Sequence, residues 1–123
     1  MSNGNKPKGF DLAERTQKFG ELVIKFIRSL QRSRVTEVLA EQLVRSATSI
    51  GANYMEADGA ESRKDFQHKI GICKKEAKET MHWLRMIAVA DTERAVDCRK
   101  LWQEAHELAL IFSKIIVTTR SRE

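Results

Sequence analysis

At 123 residues, 41% hydrophobic and 32% charged, the chain is the size of one domain and long enough for one sizeable core. That balance excludes a disordered chain, and no apolar run approaches the roughly 18 residues of a membrane span. The net charge of +5 is unevenly spread: +5 over residues 1–35, −3 over 36–60, +3 over 61–90 and zero over 91–123. A modest basic excess suits nucleic acid or an acidic protein partner and selects neither.

Residues 1–9 read as a flexible tail, without the apolar core of a secretion signal, which points to the cytoplasm. At Phe10–Glu14 a helix begins, with Asp11 as its cap and Glu14 reaching back as in a capping box. Phe19, Leu22, Val23, Phe26, Ile27 and Leu30 make an amphipathic stripe, so the first helix is expected over about 12–32. Asp11–Arg15, Glu14–Lys18 and Glu21–Lys25 are acid-before-base pairs at the favourable spacing of four. Ser33 or Thr36 caps a second helix from near Val35, with Val35, Leu39, Leu43, Ala47, Ile50 and Tyr54 toward the core. Gly51 inside it costs about 1 kcal/mol against alanine, which a close helix approach would explain. Gly59 can end it in the left-handed conformation.

Ser62 caps a third helix over about 63–90, where Phe66, Ile70, Cys73, Ala77, Met81, Leu84 and Ala88 repeat by three and four. Asp91 or Thr92 caps a fourth. That helix carries two adjacent apolar seams, Cys98–Trp102–Ala105–Ala109–Phe112–Ile116 and Leu101–Leu108–Ile111–Ile115. The excess over one bundle core is expected to face another subunit. Four long helices with short connections give an all-α, up-down-up-down four-helix bundle over residues 10–120, with 121–123 as a short tail. Cys98 should lie level with about residue 84, leaving Cys73 about 16 Å away along the helix, too far for a disulfide.

Gln42–Ala90, QLVRSATSIGANYMEADGAESRKDFQHKIGICKKEAKETMHWLRMIAVA, resembles the bacterial four-helix bundle family first met as proteins encoded by intervening sequences of 23S ribosomal RNA. The motif is matched at Arg45–Asn53, Glu56–Ala57, Gly59–Phe66, His68–Lys69 and Lys75–Leu84, and spans about two fifths of the chain. Asp58 is a departure, where asparagine, glutamine or glycine is more usual. The resemblance implies a homo-oligomeric bundle, a five-fold ring, similar in shape to the pentameric accessory proteins of retroelements, which bind nucleic acid. Those proteins do not match at motif level, so only architecture carries over. The family's ribosomal-protein label reflects where its reading frames were found, and its molecular function is largely unassigned.

The most unusual feature is the polar stripe Ser46, Ser49, Asn53 and Glu56 on the second helix. A buried Glu56 needs a partner, with Arg45, Lys69 or Arg85 available as cations and Glu76 and Glu79 as further carboxylates. Such a set reads as a register-fixing network or subunit interface, or as the lining of a ligand pocket. Glu79-x-x-His82 has the form of a di-iron ligand pair but lacks a matching element on another helix. With no phosphate loop, nucleophile elbow or zinc spacing, neither an enzyme nor a bound cofactor is expected.

Basic residues give the remaining signal. Lys64, Lys75, Lys78 and Arg85 share a face of the third helix, with Lys74 beside it. Arg63 and Lys64 occupy that helix's first turn, where free amides favour an anion. Glu14 and Glu21 neutralise neighbours on the first helix and leave Arg28, Arg32 and Arg34 open. These eight cations (Arg28, Arg32, Arg34, Arg63, Lys64, Lys74, Lys75, Lys78) are either a solvated surface or contacts to RNA or DNA. Aromatic interleaving for stacking is not seen on the exposed face. Trp83 and Trp102 are expected level with each other as a packing pair. The functional expectation is a non-enzymatic ring binding RNA by phosphate contacts. The alternative is an adaptor recruiting a protein partner.

Overall fold

In the computed structural model, which describes residues 11–122, the periodic segments become α1 (Leu12–Arg28), α2 (Arg34–Asp58), α3 (Arg63–Ala90) and α4 (Ala95–Arg120). A single 3₁₀ turn, Thr92–Arg94, precedes α4, and no strand occurs among the described residues. The tail expected over residues 1–9 lies outside them. The buried positions fall at alternating steps of three and four: Leu12, Thr16, Phe19, Val23 and Phe26 on α1, and Ile70, Cys73, Ala77, Thr80, Leu84 and Ile87 on α3. That spacing keeps one seam of each helix against its neighbours over several turns.

Local chemistry sets most of the helix starts. Asp11 accepts from the Glu14 N–H at 3.2 Å and Ser62 from the Asp65 N–H at 3.0 Å. At α2 the capping box is closed by two hydroxyls: Ser33 Oγ accepts from the Thr36 N–H at 3.1 Å, and Thr36 Oγ1 from the Ser33 N–H at 3.0 Å. The end of α2 departs from expectation. Gly59 has φ −97°, so the helix closes right-handed, its N–H bonding Met55 O at 3.3 Å.

The end of α1 departs further, stopping at Arg28 rather than near residue 32. Here the chain leaves the helix to meet the α3–α4 turn. The Asp91 carboxylate accepts from the Gln31 N–H at 3.1 Å, and the Arg94 guanidinium donates to Ser29 O at 3.2 Å. Asp91 therefore ties two turns together rather than capping the fourth helix, and α4 starts without a side-chain cap.

The α2–α3 contacts run in antiparallel register: Arg45 meets Glu79, and eleven residues further along α2 Glu56 meets Lys69, ten residues back along α3. Ser46 meets Thr80 between the same helices, and Arg15 meets Glu104 between α1 and α4. α1 crosses α2 closely at small residues. A Cβ added at Gly51 would lie 3.5 Å from the Thr16 backbone, and one at Gly20 3.7 Å from Thr48 Cα, which accounts for the mid-helix Gly51. α1 otherwise touches α4 sparingly, with Arg15 bridging to Glu104 (Nε–Oε2 2.7 Å) and Glu107 (3.0 Å). The expected Asp11–Arg15 pair is replaced by this interhelical one. Two expected core residues face outward: Leu22 is 48% and Val35 60% exposed. Both lie at the margin of their stripe, where helical periodicity leaves the facing direction open.

Candidate functional site

The polar stripe of α2 does not act as one unit. Ser46 is fully buried and shares a 2.9 Å hydrogen bond with the equally buried Thr80 hydroxyl, which also donates to Glu76 O at 2.8 Å. Ser49 and Asn53 bond each other: Asn53 Nδ2 donates to Ser49 Oγ and Ser49 O, both at 2.9 Å. Glu56 is exposed and pairs with Lys69 at 2.6 Å. Of the acids in this network the buried one is Glu76 on α3, against the expectation for Glu56. Arg45 reaches it at 3.4 Å and Glu79 at 2.7 Å, and the Glu79 hydrogen bond raises the Arg45 pKa above its ordinary value. Arg85 takes no part in this network; it lines a groove on the α4 side of α3.

Lys69, Glu76 and Glu79 all face α2, and Trp83 continues their stripe at the same spacing. Its indole Nε1 is buried without an acceptor among the described residues. The expected Trp83–Trp102 packing pair is not among the ring contacts of the described residues: Trp102 stacks on His106 (ring centroids 5.1 Å, 17° between planes), whereas Trp83 meets His82 edge-on at 4.8 Å.

The eight singled-out cations separate into three groups. Arg28, Arg32 and Arg34 lie at the end of the bundle where Arg94 meets Ser29, and Arg28 and Arg32 line a groove of about 680 Å³ there, together with Glu37. Arg63 and Lys64 lie at the opposite end of the 28-residue α3, about 42 Å away at 1.5 Å per residue. There the Arg63 guanidinium donates to Arg122 O at 3.1 Å. Lys74, Lys75 and Lys78 border a shallow groove of about 470 Å³ along the middle of α3, over Gly71, where an added Cβ would meet nothing within 4 Å. Among the described residues, none of the eight forms an ion pair with a carboxylate. The structure therefore brings Lys74, Lys75 and Lys78 together and keeps the two groups at the bundle ends apart.

One groove has no counterpart in the sequence expectation. Between the C-terminal half of α3 and the start of α4, Arg85, Arg99, Gln103 and Trp102 surround a cleft of about 450 Å³ floored by apolar side chains. Its members come from two helices, and only the α3–α4 turn juxtaposes them. Elsewhere the chemistry is quiet. No group of three or more His, Cys, Asp or Glu side chains is placed to hold a metal among the described residues. Both thiols are free and buried, and burial pushes Cys73 up to about 12 and Cys98 up to about 11, so neither is a ready thiolate. No helix among the described residues is long and apolar enough to cross a membrane.

Fold and site together define a small all-α bundle with a salt-bridged α2–α3 face and a lysine-lined α3. Comparison with known families sharpens this. The 23S rRNA-intervening sequence protein family matches residues 8–114, and the chain belongs to that family. A solved Bacteroides thetaiotaomicron protein of unknown function, from the S23 ribosomal protein family, superposes with a TM-score of 0.75 at 31% identity. The match covers 85% of this chain and 96% of that one. No curated protein matches.

Proposed function

We propose that the protein is a non-enzymatic, self-assembling cytoplasmic bundle that binds RNA through phosphate contacts. The observation that carries this is the sorting of charge on α3. Glu76 and Glu79 are both engaged by Arg45 from α2; Glu79 also borders the lysine groove, yet Lys74, Lys75 and Lys78 form no ion pair with it or with any other carboxylate among the described residues. Three unneutralised lysines within two turns repel one another unless an anion sits among them. The second α4 seam expected to face another subunit is packed into the bundle instead, with Leu108 fully buried and Leu101, Ile111 and Ile115 against the core. Self-assembly, of which a five-fold ring is one form, is supported by other apolar side chains left outside: Val96, Leu110 and Val117 lie seven residues apart or twice that on α4, at 66%, 56% and 65% exposure. Val38 and Met86 are likewise exposed on α2 and α3.

Fluorescence anisotropy of a labelled RNA, titrated at rising salt, tests the reading. The logarithm of affinity should fall linearly with that of salt. For a single strand, changing Lys74, Lys75 and Lys78 together to glutamine should lower the slope by about 2, near 0.7 per lost phosphate contact. No binding at the lowest salt would overturn it. The adaptor reading uses the same apolar side chains, and a stoichiometric protein partner surviving nuclease and high salt would favour it.

A further inference from the structure

We propose that the α3–α4 groove is a stacking pocket for one base of a single-stranded nucleic acid. Trp102 is its platform, and Arg85 and Arg99 hold the adjoining phosphates. The inference rests on the RNA reading above and adds strandedness and a place. The groove, at about 450 Å³, lies within the range of small-ligand sites, roughly 300–1,000 Å³. Ala88 and Ala95 line it from the facing helices, and two such short side chains leave the cleft its depth.

Trp102 is half-buried, which fixes its ring, and His106 stacks on it from outside the groove. Trp102 lines the groove and His106 does not, so with one indole face taken by His106 the opposite face is the one we assign to a planar ligand. Arg85 and Arg99 are exposed and, unlike Arg15 and Arg45, pair with no carboxylate among the described residues. A guanidinium presents a planar fork that matches phosphate oxygens, and two of them beside an aromatic surface suit a nucleotide more than a neutral ligand.

The lysines extend the site. Lys74, Lys78 and Arg85 are spaced by four and seven on α3, one side of the helix, so the cationic track continues about 10 Å from Lys78 to the groove. A duplex cannot offer a base face to such a pocket, because its bases are stacked on each other; a single strand can. The aromatic component absent from the linear pattern is thus supplied by the next helix.

The test uses the full chain carrying Trp83→Phe, so that Trp102 is the sole indole. It is titrated with a short oligoadenylate and with the same strand in a duplex with oligouridylate. The single strand should quench Trp102 fluorescence. Trp102→Leu should weaken single-strand binding by about tenfold to a hundredfold, with duplex affinity little changed. Arg85→Gln with Arg99→Gln, at exposed positions, should weaken it with the fold intact, and decides the matter if Trp102→Leu unfolds. Binding without quenching, and with affinity unchanged in the arginine variant, would overturn the pocket while leaving the lysine contacts standing. So would an arginine variant that alters the oligomer mass but not the affinity, since the groove would then be a subunit contact. Failure of both the single strand and the duplex to bind at low salt overturns both readings.

Discussion

The buried Ser46–Thr80 pair offers a sharp test of how α2 and α3 are held in register. Both side chains are fully buried, and the hydroxyls lie 2.9 Å apart. Because Thr80 already donates to Glu76 O at 2.8 Å, Ser46 is the donor in the shared bond. Ser46→Ala removes that donor but leaves Thr80 its own bond, for a cost of about 1 kcal/mol. Thr80→Val keeps the shape and removes the acceptor. Ser46 can then turn to Leu43 O, 3.2 Å away, so the cost is again about 1 kcal/mol. The double variant loses the same bond only once and leaves no buried hydroxyl behind, so its cost should be about 1 kcal/mol rather than 2. Urea unfolding of the four proteins at one fixed concentration, with unchanged m-values, measures the coupling. Strictly additive losses would mean that the two hydroxyls do not share a bond, and would remove the pair as a register device.

Asp91→Ala should destabilise by about 1–2 kcal/mol by leaving the Gln31 N–H without its partner, and thermal unfolding reads this as a lowered Tm. Gly71→Ala should stabilise by about 1 kcal/mol because its Cβ enters open space, whereas Gly51→Leu should destabilise by driving a side chain into the α1 backbone. A Gly71→Ala variant of lowered Tm would mean that another molecule packs on that face. The thiols should resist a disulfide reagent until the chain unfolds. Their folded pKa values, about 12 for Cys73 and about 11 for Cys98, lie above the ordinary 9.0. The unfolded chain therefore releases thiol protons first. The thiol contribution to stability is fully present below pH 9 and is lost as pH rises through about 11 to 12, which alkaline unfolding curves would show.

Much of the fold was legible in the sequence because the information is local. The bounds of α3 follow from the Ser62 cap at one end and the three-four repeat from Phe66 to Ala88, both local signals; the structure moves two positions of that repeat by one residue, burying Thr80 and Ile87 more deeply than Met81 and Ala88. What escaped depends on distant partners. α1 ends early because Asp91 and Arg94, some 60 residues on, take up the backbone of the following turn. Arg15 has a suitable acid four residues before it, yet Glu104 and Glu107 on α4 hold it in a bidentate geometry that a neighbour on the same helix does not match. The polar stripe of α2 was visible as a stripe, but which acid is buried depends on how α2 and α3 are rotated against each other, and that left Glu56 exposed and buried Glu76. The direction of Trp102 was beyond reach for the same reason, and with it the groove it shares with Arg85 and Arg99.

The central claim, an oligomer that holds RNA by its phosphates, is tested most directly by light scattering on protein purified at low salt, with absorbance recorded at two wavelengths. The expected result is a particle several times the 14.1 kDa chain that carries nucleic acid, sheds it at high salt and keeps its protein mass. A well-folded species of a single chain, free of nucleic acid even at low salt, would contradict it.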